Sequence, residues 1–309
     1  MPGPAPGTPN GPPGAAPHGP RPAAPARGIG LVCVDVDGTL VGASGRVPDD
    51  VWPAAARARA AGVRLAVCSG RAAFGSARAH AERLDADGWH IFQNGASVVH
   101  LATGRSRSTP LPPGAFERLR ARADAAGWLL ELYDDAGYAV EPRTPAQQDV
   151  ARRHAALLGV PYAPRPYAAL AGAPVRALVV APRAEEARIL ADPWDGLTAG
   201  ASTSPAMDDV VFVNVTASGV DKGTALRALA AAYELPLARV MMVGDGLNDL
   251  PALAAAGVAV AMGNAEPAVR AAAGRVVGDV DRGGLAEALA LALGAGPRSA
   301  AALGVRHPP

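Results

Sequence analysis

Residues 31–42 read LVCVDVDGTLVG. Four apolar residues run into two carboxylates, Asp35 and Asp37, one residue apart, with Gly38 and Thr39 directly behind them. Like charges repel and burying them is costly, so a strand with no other task has no reason to end this way. A chain that needed only a turn would use one Asp or Asn and a Gly. The pair points to a partner supplied from elsewhere in the chain.

The chain around it has 309 residues, 50% of them hydrophobic and 18% charged, with a formal net charge of +1. That is long enough for two cores. Near-neutrality argues against a nucleic-acid or membrane-surface partner and leaves a small molecule as the expected one. Cys33 and Cys68 both sit inside apolar runs, which suits core positions in a reducing compartment better than a disulfide framework. Residues 1–27 are almost entirely Pro, Gly and Ala and predict a disordered tail; residues 294–309 predict a second, flexible one. The first tail has neither the basic start nor the apolar segment of a signal peptide, and no uncharged span is long enough for a bilayer. A soluble, cytoplasmic protein of open oligomeric state is the expectation.

Outward from residues 31–42, strand-like and helix-like segments alternate. GLVCVD (30–35) and VRLAVCSG (63–70) read as buried strands, and HIFQNGA (90–96) as a third ending near Asn94. PDDVWPAAARARAAG (48–62) and FGSARAHAERLDADG (74–88) read as helices, the first with Asp49 and Asp50 as cap candidates and Gly62 as its stop. The alternation resumes late, with a helix in DKGTALRALAAAYEL (221–235), a strand in RVMMVGD (239–245), a helix in NDLPALAAAG (248–257), a strand in VAVAMG (258–263) and a final helix in GGLAEALALAL (283–293). The interval differs in texture. It carries a hairpin turning at DDAG (134–137), strands in VRALVVA (175–181) and DDVVFVNVT (208–216), and helices including APRAEEARILAD (181–192). The prediction is an α/β fold, a doubly wound parallel Rossmann-like core sheet of residues 28–96 and 209–293, interrupted by an α+β cap of residues 97–208.

Ligands of open parallel sheets bind outside the carboxyl ends of the strands. Four segments put polar residues at such ends: Asp35 and Asp37; Ser69, Gly70 and Arg71; Asn94; and GDGLND (244–249) with Asp245, Asn248 and Asp249. Carboxylates gathered there would repel by roughly 4 kcal/mol per pair at about 4 Å and an effective dielectric of 20. A divalent cation resolves the repulsion. With oxygen donors only, and no histidine in these segments, Mg²⁺ fits better than Zn²⁺, and it habitually carries phosphate among its ligands. The SGR turn and Lys222 suit phosphate oxygens, one carboxylate can attack phosphorus, and the other can move the proton.

DVDGTL (35–40), SGR (69–71), DKGTAL (221–226) and GDGLNDLPAL (244–253) followed by AGVAVAMGNA (256–265) resemble, in order and spacing, the four motifs of the haloacid dehalogenase superfamily of phosphatases. The insert between the second and third motifs resembles the cap of its Cof-type or type IIB branch. The resemblance implies Asp35 as nucleophile, Asp37 as general acid/base, Ser69 and Gly70 as phosphate contacts, and Lys222 as the cation that steadies nucleophile and phosphate. It further implies Mg²⁺ held by the Asp35 carboxylate, the backbone carbonyl at position 37 and Asp245, with Asp249 supporting the metal shell. Asn248 matches a phosphate-pocket position, and Asn94 and Arg71 are pocket candidates. Ser69 stands where Thr is common and Leu253 where Met is frequent, and neither change touches the chemistry.

Taken singly, each motif has an ordinary explanation: a turn and a cap for DVDG, turn material for SGR and NGA, a solvated lysine, an acidic loop. Together and in order they outweigh it. The expected function is a Mg²⁺-dependent phosphomonoester hydrolase acting on a small phosphorylated metabolite through an aspartyl-phosphate. A phosphomutase using the same aspartate is the alternative. A non-catalytic nucleotide-binding module is the alternative from another class, disfavoured because the first strand leads into acids and not a Gly-rich cradle. Tyr133, Arg143, Arg152 and Arg153 in the cap are candidates for reading the substrate, beside their simpler reading as helix-face ion pairs.

Overall fold

The computed structural model describes residues 28–191, 193–204 and 206–294. The predicted tails, 1–27 and all but Gly294 of 294–309, lie outside the described residues.

The core begins with β1 (Leu31–Val34), α1 (Val51–Ala60), β2 (Arg64–Val67), α2 (Gly75–Asp85), β3 (Trp89–Phe92) and β4 (Ser97–His100). The cap follows with α3 (Ala115–Ala126), β5 (Leu129–Tyr133), β6 (Tyr138–Val140), α4 (Pro145–Leu158), β7 (Arg176–Pro182), α5 (Glu186–Ala191), β8 (Leu197–Ser204) and β9 (Met207–Ala217). The chain returns to the core with α6 (Lys222–Ala232), β10 (Val240–Gly244), α7 (Leu250–Ala255), β11 (Val258–Ala261), α8 (Pro267–Ala272), β12 (Arg275–Val276) and α9 (Gly284–Ala292).

The core sheet is parallel and runs β12-β11-β10-β1-β2. Every residue of β1 is buried, as are most of β2 and all of β10, which is why these segments read as unbroken apolar runs instead of alternating ones. α1 packs against α2 and α9, and α6 against α7. Cys33 and Cys68 are free and buried in this core, as expected. The chain moves from β1 to β2 on one side and comes back to β10 on the other, so the switch point of the strand order lies between β1 and β10. Asp35 and Asp245 leave the sheet there.

Five details depart from the sequence reading. β3 meets the core sheet at the isolated Cys68–Ile91 bridge and pairs along its length with β4, antiparallel. That hairpin continues past residue 96, and its connector bonds back to it through Thr109 N–H to the Ala96 carbonyl at 2.9 Å, so a cap boundary at 97 divides one local unit. At the other boundary, residues 209–217, assigned to the core, belong to β9, which pairs with β7 from Val210 to Thr216 and with β8 to Ala217. The predicted helix at 181–192 is shorter: Ala181 and Pro182 finish β7, and α5 starts at Glu186. Asp50 occupies the N-cap position of α1, but its carboxylate bonds no helix N–H.

The cap sheet runs β6-β5-β7-β9-β8, antiparallel throughout. An apolar cluster of α3, α5 and the sheet, including Leu119, Trp128, Ile189 and Val213, fills one side. On the other side Tyr133, Leu178, Val180 and Phe212 pack with Ala151 of α4 and with Ala72 and Phe74 of the core. The loop that follows β2 is thus built into the cap.

Candidate active site

Each site residue is placed by a local device. Asp35 follows β1 directly and its N–H donates to the Val243 carbonyl at 3.0 Å. Gly38 has φ +84°, and a Cβ there would fall 2.1 Å from Asp245 Oδ2. Glycine alone allows both the left-handed turn and the close approach. Lys222 opens α6 behind Asp221, whose carboxylate accepts the Thr224 N–H at 2.7 Å while Thr224 Oγ1 accepts the Asp221 N–H at 3.1 Å. This reciprocal cap explains the spacing in DKGT and fixes the first residue of the helix. Gln93 and Asn94 both have positive φ, 53° and 54°, followed by Gly95 at 99°. A Cβ on Gly95 would stand 2.2 Å from the Asp221 carbonyl, so the turn that presents Asn94 is wedged against the start of α6.

The centre is an ion cluster. Lys222 Nζ donates to Asp35 Oδ1 and to Asp249 Oδ1, each at 2.6 Å, with the lysine 1% exposed and Asp249 fully buried. Asp249 Oδ2 accepts the N–H groups of Asp245 and Gly246, both at 3.0 Å. Both oxygens of Asp249 are therefore engaged, and it shapes the loop that carries Asp245. Thr39 Oγ1 donates to Asp245 Oδ1 at 2.7 Å, and Asn264 holds the Gly38 carbonyl at 2.8 Å.

Charge is crowded here. Burial pushes the Asp35 carboxyl up to about 8; Asp249 and Asp245 add to the rise and Lys222 opposes it. Burial, reinforced by Asp249, raises Asp245 to about 6 against the Thr39 hydrogen bond. Burial also works against the charge on Lys222, but Asp35 and Asp249 outweigh it and keep the ammonium protonated well above the usual lysine range. One lysine does not balance three carboxylates. Asp35, Asp245 and Asp249 each offer an oxygen within 4.8 Å of the others, an all-oxygen set that fits a hard divalent cation.

Ser69, Asn94 and Asn248 are tied to one another. Ser69 is buried, and its Oγ accepts the Arg71 N–H at 3.1 Å; Asn94 N–H donates to the Ser69 carbonyl at 3.0 Å. Asn248 Nδ2 donates to Asn94 Oδ1 at 3.1 Å, closing the rim between the second and fourth segments. Asp37 stands apart from the acidic group: its exposed carboxylate makes a two-point ion pair with Arg71, with Nε 2.8 Å from Oδ2. The cap candidates fare differently. Arg143 pairs with Asp124 at 2.8 Å, Arg152 lies 3.7 Å from Asp149, and Arg153 binds Asp209, so all three are taken up by ion pairs on the cap. Tyr133 is buried and donates its hydroxyl to Glu131 at 2.5 Å. Sequence reasoning passed over Thr39, Asn264 and Arg176. The signal for Arg176 was a lone charge inside the apolar run VRALVVA.

The match of a family model, that of the haloacid dehalogenase-like hydrolases, extends over residues 32–289. The chain belongs to this family. An α+β cap lies between the second and third motifs of this haloacid dehalogenase-like hydrolase. The putative phosphatase YxeH of Bacillus subtilis is 27% identical over 259 residues, 79% of this hydrolase and 90% of YxeH. A phosphatase of the same superfamily from Bacteroides thetaiotaomicron has a solved structure 26% identical, with a TM-score of 0.70 over 90% of this chain and 98% of that one. The structure of a subclass IIB sugar phosphatase, 22% identical, shares the fold with a TM-score of 0.69 over 86% of this chain and 99% of that one. Several curated phosphatases match only in segments of 65 to 78 residues, and the hydrolase spans between 19% and 35% of their lengths there. Among the described residues no helix is long and apolar enough to cross a membrane.

Proposed function

We propose that this hydrolase is a cytoplasmic, Mg²⁺-dependent phosphatase that cleaves a small phosphorylated metabolite through an aspartyl-phosphate. The observation that carries the reading is the Lys222 ammonium locked between Asp35 and Asp249 beside Asp245. Asp35, Asp245 and the carbonyl at position 37 would hold Mg²⁺, which would supply the positive charge that lets a phosphate dianion approach a carboxylate. An Asp35 oxygen attacks phosphorus as the bond to the leaving oxygen breaks, and Asp37 gives that oxygen its proton. To do so Asp37 leaves its Arg71 ion pair, takes up a proton from solvent and turns to the leaving group. Asp37, now a carboxylate, takes a proton from the attacking water; the acyl-phosphate bond breaks, inorganic phosphate departs and Asp35 is regenerated. Lys222 has one ammonium proton beyond the two given to carboxylates, and it serves a phosphate oxygen together with the Ser69 hydroxyl, the Gly70 N–H and Asn248.

Assay of a panel of sugar phosphates, phosphorylated cofactors and nucleotides is expected to show phosphate release with Mg²⁺ and none with EDTA. Release that persists at full rate with EDTA, or a wild-type protein inert on every compound, ends this reading. The site also predicts how Mg²⁺ affinity varies with pH. Carboxyls raised to about 8 at Asp35 and about 6 at Asp245 hold protons that the cation must displace. Affinity therefore weakens as pH falls below 8, by about tenfold per pH unit for one displaced proton, and levels off above it. Calorimetric titration at pH 6, 7 and 8 checks this, and a flat profile contradicts it.

A further inference from the structure

Arg176 opens β7 directly across from Tyr133 of β5, with Asn214 diagonal to it on β9. It is 5% exposed, and no carboxylate among the described residues lies within salt-bridge distance of it. Its Nη1 donates to Asn214 Oδ1 at 3.0 Å and to the Gly70 carbonyl, across the cap–core seam, at 3.2 Å. The guanidinium carbon stands 4.0 Å from the centre of the Tyr133 ring, and Nε has no hydrogen-bond partner among the described residues. Beneath the ring, Glu131 accepts the Tyr133 hydroxyl and meets His154 Nδ1 at 2.9 Å. Beside it, Phe74 stacks on Tyr133 and Tyr138 with centroids 6.2 and 5.9 Å away.

Burying a guanidinium without an ionic partner is unfavourable, and a cap sheet filled by a long apolar side chain would avoid the cost. What the arginine does contact is specific. The Gly70 carbonyl belongs to the Ser69–Arg71 turn, which the core holds through Asn94 N–H to the Ser69 carbonyl at 3.0 Å and Gln93 N–H to the Arg71 carbonyl at 2.9 Å. Arg176 holds the same turn from the opposite domain, with Asn214 and the Tyr133 ring fixing the direction of its planar fork.

We propose that Arg176 is a positioning residue by which the cap fixes the phosphate-binding turn, so that docking of the cap and ordering of Ser69, Gly70 and Arg71 are a single event. The proposal rests on the phosphatase reading above and adds that the cap acts on the phosphoryl end of any substrate, whatever its leaving group.

The test compares wild type with Arg176→Met, Arg176→Lys and Asn214→Ala, all in Mg²⁺. It reads kcat and KM on p-nitrophenyl phosphate, whose leaving group has no second anion, and calorimetric affinity for orthovanadate. Arg176→Met is expected to lower kcat by about 10- to 100-fold and to weaken vanadate binding. Arg176→Lys, which keeps a donor for Gly70, recovers most of the loss, and Asn214→Ala falls between; a residue that only supported the fold would shift the melting temperature and leave kcat of the folded protein alone. A folded Arg176→Met protein within twofold of wild type in both readouts overturns the proposal. So does a loss confined to esters with a second anionic group, which would make Arg176 a leaving-group contact. If Arg176→Met does not fold, Asn214→Ala decides, and values within twofold of wild type overturn the proposal. If wild type hydrolyses no ester while Arg176→Met still weakens vanadate binding, the phosphatase reading fails and the positioning role stands.

Discussion

Asp35→Asn is expected to abolish phosphate release, lowering kcat by at least about 10⁴-fold, because an amide cannot act as the nucleophile and no neighbouring carboxylate can take its place. Asp249 is tied through both oxygens to Lys222 and to two backbone N–H groups, and Asp245 receives the Thr39 hydroxyl. The fold should survive. The asparagine oxygen can still accept from Lys222, and the substitution replaces a carboxyl that burial and its acidic neighbours raise to about 8, where ionisation is already costly. Thermal unfolding without Mg²⁺ is therefore expected within a few degrees of wild type, and stopped assays on the best substrate of the panel should show only background. Activity retained in a folded Asp35→Asn protein would remove Asp35 from the reaction.

Lys222→Met is expected to damage stability as well as catalysis. The side chain is 1% exposed and bridges two buried carboxylates at 2.6 Å each, so its loss leaves Asp35 and Asp249 facing one another without a cation. Breaking a buried ion pair from one side costs about 3–5 kcal/mol, a large part of the 5–15 kcal/mol that holds a typical domain together. Urea unfolding should show the loss as a lower midpoint. Saturating Mg²⁺ should restore part of it, since the cation compensates the same carboxylates and stabilises whichever state binds it. A midpoint unchanged from wild type, or one that Mg²⁺ does not move, contradicts the account of Lys222 as the counter-charge of the cluster.

Much of this site was legible in the sequence because its motifs are local. DVDG, SGR, DKGT and GDGLND each combine a backbone device with a candidate side chain: a glycine turn, a turn closed by Arg71 N–H on Ser69 Oγ, a reciprocal helix cap and an acidic loop that bonds its own N–H groups. Such devices operate within a few residues and leave a readable trace. Thr39 and Asn264 left none, and Arg176 only a charge in an apolar run, because their partners Asp245, Gly38 and Gly70 lie 206, 226 and 106 residues away in the chain. β8 was missed for another reason. LTAGASTS has little apolar content and alternates between exposed and half-buried residues, and it is a strand because β9 offers it an edge to pair with. The same pairing puts residues 209–217 in the antiparallel sheet, since the apolar run in DDVVFVNVT says that a strand forms but not which sheet takes it.

By itself, then, the sequence of this hydrolase determined the alternation of strands and helices, the strand ends that carry Asp35, Ser69 and Asp245, and the lysine that starts α6, because periodicity, caps and turns are short-range physics. Only the tertiary structure decided that Asp37 rests against Arg71, that Asp249 serves Lys222 and its own loop, and that the cap reaches the Gly70 carbonyl through Arg176. Those are contacts between segments far apart in the chain, and packing alone chooses them.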